Sequence, residues 1–103
     1  MNKSERNIHE LITYSQGGIL SKELVKTGKL NITLFSMAKS TELTEHTSTK
    51  EGSVYVIEGN GTFTLEGEKI PMNPGVFIYM KKNAVHALKA KENTSFILSL
   101  YQE

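Results

Sequence analysis

At 103 residues and with a formal net charge of +1, the chain has the size of one globular domain and no excess of positive charge. This balance argues against nucleic acid or an anionic membrane as a partner, because both bind clustered positive charge. The absence of cysteine excludes disulfides, a thiolate metal site and a cysteine nucleophile. No apolar run approaches the roughly 20 residues that cross a bilayer, and the first residues lack the hydrophobic stretch of a secretory signal. We therefore expect a cytoplasmic protein.

Residues 1–18 are predicted to be a lead-in segment ahead of the main fold. Within residues 4–12, apolar side chains recur at helical spacing, at Ile8, Leu11 and Ile12. Ser4 is a candidate N-cap. A segment this short is unstable without packing, so it is predicted to form a short helix or an edge strand over the core. We expect His9, within it, to be a surface residue.

From residue 19 onward, short alternating or β-branched segments are separated by turn residues every eight to twelve positions. The clearest strands are predicted at residues 19–26, 30–37, 53–58, 62–66, 76–80, 84–88 and 94–101. Residues 39–50 are polar and are predicted to form a loop or an exposed strand. About eight or nine short strands with at most one short helix predict an all-β domain, either a barrel or a two-sheet sandwich.

Gly59-Asn60-Gly61 is the strongest local turn signal in the chain. Asparagine and glycine tolerate the positive φ angles of tight turns, and apolar strands flank this tripeptide on both sides. It therefore predicts a β-hairpin. A second hairpin is predicted at Gly28, between two strand-like segments.

The spacing of two groups of residues resembles the motifs of the cupin superfamily. Its first motif is a glycine, five residues, His-x-His, three or four residues, a glutamate, six residues and a glycine; the matching positions here are Ser40, His46, Ser48, Gly52 or Ser53, and Gly59. In the second motif Gly75 and His86 fit, while its proline, second glycine and asparagine are replaced by Lys81, Asn83 and Ala90. Asparagine is a reasonable replacement for that glycine, since both tolerate the left-handed region. The resemblance covers residues 19–101 and implies a double-stranded β-helix, or jelly-roll, barrel.

The same resemblance implies a metal centre, because in that superfamily the motif histidines and glutamate hold a divalent ion. Carried over residue by residue, His46 and His86 are the candidate ligands for one ion such as Mn, Fe, Ni or Zn. Ser48 is a weaker candidate, and Gly52 offers no ligand atom. Glu51 is the nearest carboxylate, but its odd offset from His46 turns it to the other face unless a one-residue bulge rotates it inward. The alternative is a metal-free pocket.

The predicted ligand pocket consists of His46, Ser48, His86 and Tyr79. Aromatic and methionine side chains such as Phe35 and Phe77 are also candidates for its walls, although in small barrels they more commonly form core. The first hypothesis for function is a small-molecule-binding barrel with a weakened or lost metal centre. The second is a metal-dependent enzyme, a dioxygenase or isomerase of a small polar substrate. The third is a non-catalytic structural barrel that acts as a dimer.

A homodimer is the predicted assembly. It is implied by the resemblance, and the apolar segment F-I-L-S-L-Y at residues 96–101 would leave a strand edge to cover.

Overall fold

The computed structural model of the protein describes residues 4–102, so the first three residues of the predicted lead-in lie outside the described part. One short helix, α1 (Ile8–Leu11), is followed by strands throughout. The strands are β1 (Ile19–Lys26), β2 (Leu30–Met37), β3 (Glu42–His46), β4 (Glu51–Glu58), β5 (Gly61–Leu65), β6 (Glu68–Pro71), β7 (Phe77–Met80), β8 (His86–Ala90) and β9 (Thr94–Tyr101). Among the described residues, no helix has the length and apolar character needed to span a bilayer.

The strands form two antiparallel sheets that enclose one hydrophobic core. The five-stranded sheet has the order β1-β2-β9-β4-β7, and the four-stranded sheet has the order β3-β8-β5-β6. Alternate residues of both sheets point inward, as the period of two requires, and they include Val54, Val56, Phe63, Leu88 and Phe96. This arrangement confirms the predicted all-β fold of the double-stranded β-helix type.

Gly59-Asn60-Gly61 does not form the predicted hairpin. The strands on either side, β4 and β5, belong to different sheets, so the chain crosses from one sheet to the other at this tripeptide. Gly59 has a φ of 115°, and a Cβ there would lie 2.5 Å from the Asn93 carbonyl oxygen and from Thr94 Cα. Glycine is needed here for close packing against the β8–β9 connection. The sequence signal was correct for backbone conformation and wrong for strand pairing.

Two positions that replace motif glycines adopt the left-handed conformation. Ser40 has a φ of 72° and Asn83 a φ of 66°, although neither is a glycine. Asn83 follows β7, and its backbone N–H donates to the Ser48 carbonyl oxygen at 2.8 Å. The predicted tolerance of asparagine for a glycine position is confirmed. The hairpin predicted at Gly28 is also present, joining β1 to β2.

The N-terminal segment lies against the outer face of the five-stranded sheet. Its helix is capped by Asn7, whose side chain accepts from the His9 N–H, and not by Ser4 as the sequence suggested. Tyr14 fastens the segment, because its hydroxyl lies 2.7 Å from both Glu58 Oε2 and Ser95 Oγ. Burial raises the pKa of Tyr14 to about 12, with the Glu58 carboxylate acting in the same direction.

The C-terminal strand does not leave an open edge. β9 pairs with β2 on one side and β4 on the other, and it therefore lies in the middle of its sheet. Its length and apolar character suit a central strand, and the edges of this sheet are β1 and β7. The prediction that residues 96–101 would leave a strand edge to cover was therefore wrong, whereas the homodimer itself stays a prediction.

Candidate functional site

Two histidines from different motifs meet inside one end of the barrel. β3 and β8 pair antiparallel, and His46 and His86 are directly opposite each other in their register. The ring centroids are 4.1 Å apart, with the ring planes at 60°. His86 is buried, with 7% of its surface exposed, whereas His46 ends β3 and is exposed. The pair therefore connects the barrel interior to solvent.

Both rings are held in the same way by the backbone of their own strand segment. His46 Nδ1 lies 2.7 Å from the Thr44 carbonyl oxygen, and His86 Nδ1 lies 3.0 Å from the Ala84 carbonyl oxygen. Because a carbonyl oxygen only accepts, each Nδ1 carries the proton and donates it. The lone pair of each neutral ring is then on Nε2, where it can accept a hydrogen bond or coordinate an ion.

Burial keeps His86 neutral. It lowers the pKa of His86 below the ordinary value of 6.5, and the neighbouring His46 acts in the same direction, while the Ala84 carbonyl opposes them. The Phe63 ring stacks parallel to the His86 ring, with centroids 5.8 Å apart and planes 3° apart. At neutral pH the His86 ring is therefore a hydrogen-bond acceptor with apolar side chains around it.

The two histidines border a small internal cavity of about 70 Å³. Apart from them, its lining among the described residues is apolar and comprises Phe35, Leu43, Val54, Phe63, Met80, Leu88, Phe96 and Leu98. Phe35 and Phe96 stack with centroids 5.3 Å apart. Polar recognition inside this cavity is thus confined to the imidazoles.

Ser48 and Tyr79, the other two residues predicted for the pocket, do not line this cavity. The chain leaves β3 after His46, so strand alternation does not carry the inward face on to Ser48. Ser48 lies in the loop, where its hydroxyl accepts from the Lys50 N–H at 3.1 Å. Tyr79 is on β7 between two inward-facing residues and is 54% exposed on the outer surface.

Neither Gly52 nor Glu51 replaces the motif carboxylate inside the barrel. Gly52 is buried, and a Cβ there would lie 2.6 Å from the Ser99 carbonyl oxygen. Glu51 faces outward and accepts a hydrogen bond from the Tyr79 hydroxyl. The inward rotation considered for Glu51 does not occur, because β4 pairs without a bulge from Glu51 to Val56.

The residues present do not fit a resident divalent ion. A protein site of this kind needs three or four ligands to replace most of the water shell of the ion. Within residues 4–102, no group of three or more His, Cys, Asp or Glu side chains is placed to hold one. His46 and His86 provide two nitrogen ligands, and Glu51 and Ser48 add none.

The sequence did not predict the aromatic contact between Phe63 and His86. Phe63 was assigned only to a strand, yet β5 pairs with β8 and brings its inward-facing side chain against the imidazole. The signal was available in part, since Phe63 has the alternating position typical of an inward-facing residue. The pairing of β5 with β8 cannot be predicted from the local sequence.

The architecture and the sequence indicate the same class of protein. Within residues 4–102, nine antiparallel strands in two facing sheets define the double-stranded β-helix class. The family model described as "Cupin domain" matches residues 33–100, which include His46 and His86. The chain therefore belongs to the cupin family. A protein of Aquifex aeolicus described as uncharacterized is 27% identical over 101 residues, spanning 96% of this chain and 84% of the relative.

Solved structures agree with this assignment. The conserved SPY1581 protein of unknown function from Streptococcus pyogenes superimposes with a TM-score of 0.89 at 26% identity, covering 100% of this chain and 91% of that one. A cupin superfamily protein from Desulfitobacterium hafniense, DSY2733, has a TM-score of 0.90 at 18% identity, covering 100% and 95% of the two chains. At that identity the second similarity establishes the fold alone.

Proposed function

We propose that the protein binds a small molecule in the internal cavity, with His46 and His86 as the groups that recognise it. One observation carries the proposal: two imidazoles, both with Nδ1 bound to a backbone carbonyl and Nε2 left for a ligand, border an otherwise apolar cavity. Each ring is fixed before a ligand arrives, so binding does not have to order it. Apolar walls with a few placed polar groups are the usual composition of a ligand pocket.

The chemistry of the lining defines the class of ligand. Nε2 of a neutral imidazole accepts, so the ligand must present a hydroxyl, amine or amide N–H to the histidines. The rest of the inserted group must be apolar, because no other polar side chain lines the cavity within residues 4–102. An anionic group is disfavoured, since the low pKa of His86 keeps that ring uncharged at neutral pH.

The size of the cavity limits how much of the ligand enters. Pockets that enclose a drug-sized molecule have volumes of roughly 300–1,000 Å³, whereas this cavity has about 70 Å³. The ligand is therefore either very small or inserts only one end. The exposed side of His46 provides the entrance, and any remaining part of the ligand lies outside it.

Protein-observed NMR with a set of small alcohols, phenols and amides tests the proposal. Fragments that carry a donor should shift the amide signals of His46, His86 and Phe63. His46→Asn and His86→Asn should each weaken binding by about three- to tenfold, the equivalent of one lost hydrogen bond. Asparagine suits this test because its amide can keep the donation to the Thr44 or Ala84 carbonyl while Nε2 is removed.

His9→Asn is the matched control, because His9 is exposed on α1 and distant in sequence from both motifs. It should leave fragment affinity unchanged. Equal affinity in all three variants would refute recognition by the histidine pair. A ligand at 100 times its dissociation constant should also raise the unfolding free energy by about 2.7 kcal/mol.

The metal-dependent dioxygenase or isomerase is the alternative, and the observation in its favour is that both Nδ1 atoms bind backbone carbonyls, which leaves Nε2 of each ring for an ion. Two imidazoles leave most of the shell of an ion to water, so we expect weak binding. Elemental analysis of protein purified without chelator or an affinity tag separates the two functions. Near-stoichiometric Mn, Fe, Ni or Zn that is lost in both His46→Asn and His86→Asn would favour the enzyme.

The homodimer stays a prediction, and so does the third hypothesis, a non-catalytic structural barrel that acts as a dimer. Location in the cytoplasm also stays a prediction. The outer face of the edge strand β7 is the surface to test, since Phe77 is 64% exposed there. Light scattering should give twice the monomer mass for the wild type, and Phe77→Glu should reduce it to the monomer mass. A monomeric wild-type protein would contradict the prediction.

A further inference from the structure

A second concave surface lies on the outside of the four-stranded sheet, away from the histidines. It is a groove of about 550 Å³ whose floor includes Thr62 and Pro71, which are opposite each other on β5 and β6. Thr62 is also opposite Lys89 on β8. These side chains belong to the outward-facing set of their strands, whereas Phe63 and His86 belong to the inward-facing set. The sheet itself therefore separates this groove from the cavity.

Three lysines border this lysine groove. They come from separate parts of the chain: Lys69 from β6, Lys89 from β8, and Lys91 from the connection after β8. All three are exposed, and within residues 4–102 the one ion pair joins two other residues, Lys39 and Glu92, at 4.0 Å. Among the described residues no carboxylate therefore forms an ion pair with the three ammonium groups around this depression, and Glu42 is the cross-strand neighbour of Lys89.

Neutral polar groups complete the groove. Asn60 and Thr62 line it together with the lysines, and no hydrogen bond within the described part of the chain engages either side chain. The backbone of Asn60 is fixed, because its carbonyl oxygen accepts from the N–H groups of Lys91 and Glu92 at 2.9 and 3.0 Å. The end of the groove is therefore rigid, while its amide and hydroxyl groups are available to a ligand.

We propose that the lysine groove binds a small organic or inorganic anion that carries two or three negative charges on phosphate or carboxylate groups. Lysine ammonium groups act as point charges with rotatable donors, so they suit either anion without the planar geometry that arginine selects. The volume falls within the range of pockets for small ligands.

A nucleic acid is a poorer occupant. Glu42 lies opposite Lys89 on the neighbouring strand, and the chain as a whole has a net charge of only +1. The positive region therefore ends at the groove and does not continue as the stripe that a polyanionic chain requires. The groove is independent of the internal cavity, so the anion and the ligand of the histidines bind at separate sites.

Titrations of ¹⁵N-labelled protein with inorganic pyrophosphate and with citrate test this site. Either anion should shift the backbone amide signals of Asn60, Thr62, Lys69 and Lys89, and should do so at lower concentration than acetate, which carries one charge. Added sodium chloride should weaken the binding, because exposed charges are screened. Comparison of the two anions shows whether phosphate or carboxylate is preferred, and tighter binding of either one supports the proposal.

The triple variant K69Q/K89Q/K91Q should bind the preferred anion about tenfold more weakly, since each exposed charge pair changes an affinity by a factor of about 1.5 to 5. Its control is K26Q/K29Q/K81Q, which removes the same total charge from exposed lysines outside the groove. That control should bind within about twofold of the wild type if net charge alone has little effect. Equal weakening in the two triple variants, or shifts confined to other residues, would overturn the proposal. So would acetate binding as well as both multivalent anions.

Discussion

Replacing Gly52 with alanine should destabilise the barrel, although the change adds one methyl group. That methyl would lie 2.6 Å from the Ser99 carbonyl oxygen and 2.7 Å from Leu100 Cδ2. The leucine side chain can rotate, but the carbonyl belongs to the backbone of β9, which pairs with β2 on its far side. Relief therefore requires a backbone movement in the middle of the five-stranded sheet.

The expected magnitude follows from two opposing effects. Overpacking of this kind costs about 1–3 kcal/mol. Loss of glycine flexibility in the unfolded chain returns about 0.4–1 kcal/mol. The net loss for Gly52→Ala should be about 1–2 kcal/mol, which corresponds to a fall in Tm of about 5–15 °C for a domain of this size. Thermal and urea denaturation followed by circular dichroism measure both quantities.

Gly28→Ala provides the matched control. Gly28 lies in the exposed turn between β1 and β2, and a Cβ there would have no atom within 4 Å. Its substitution should leave Tm unchanged or raise it slightly. If Gly52→Ala is as stable as Gly28→Ala, the barrel wall at Gly52 is not closed, and a motif carboxylate could be accommodated there.

Three further substitutions test local features of the fold. Tyr14→Phe removes the hydroxyl that bridges Glu58 and Ser95 and should cost about 1 kcal/mol by urea denaturation at neutral pH. Because burial raises the pKa of Tyr14 from 10.0 to about 12, its contribution is complete below pH 10 and is lost as pH rises towards 12, so the difference between wild type and variant should shrink over that range. The pKa of His86 is lowered in the folded protein, so as pH drops below 6.5 the unfolded chain binds the proton first and the unfolding free energy should fall. His86→Asn should reduce the slope of unfolding free energy against pH, and an unchanged slope would assign the effect to other groups. Ser40→Gly should stabilise the protein by about 0.5–1 kcal/mol, because Ser40 has a φ of 72°, and a loss of stability would mean that its side chain contributes more than the strain costs.

Strands were predictable wherever the local sequence alternates clearly. Residues 30–37 and 94–101 were predicted as strands from periodicity and composition, and β2 and β9 have those bounds. The signal is reliable because burial of one face of a strand determines every second residue. Which strands pair with each other cannot be predicted from local sequence. The Asn60 turn was therefore predicted to form a hairpin, although it connects two different sheets.

The candidate site was predictable only as far as the family spacing reaches. His46 and His86 were predicted from a resemblance to share one site, and the register of β3 with β8 brings them opposite each other. Ser48 and Tyr79 were assigned to the pocket by counting along a strand or by residue type, and both fail for a geometric reason. The strand ends before Ser48, and Tyr79 alternates to the outer face of β7. Which residue begins a strand decides which face each side chain takes, and a one-residue error reverses every assignment.

β8 contributes residues to both proposed sites, from opposite faces of the four-stranded sheet. His86 and Leu88 point into the barrel, while Lys89 points outward, because an odd offset along a strand changes the face. The His86 imidazole contacts Phe63 and His46, whereas Lys89 is opposite Thr62 and lines the lysine groove with it. Lys89→Gln should therefore leave fragment binding at the histidines unchanged, and His86→Asn should leave anion binding unchanged. If either substitution alters both, β8 shifts as a unit when one site is occupied, and the two sites are coupled through the strand.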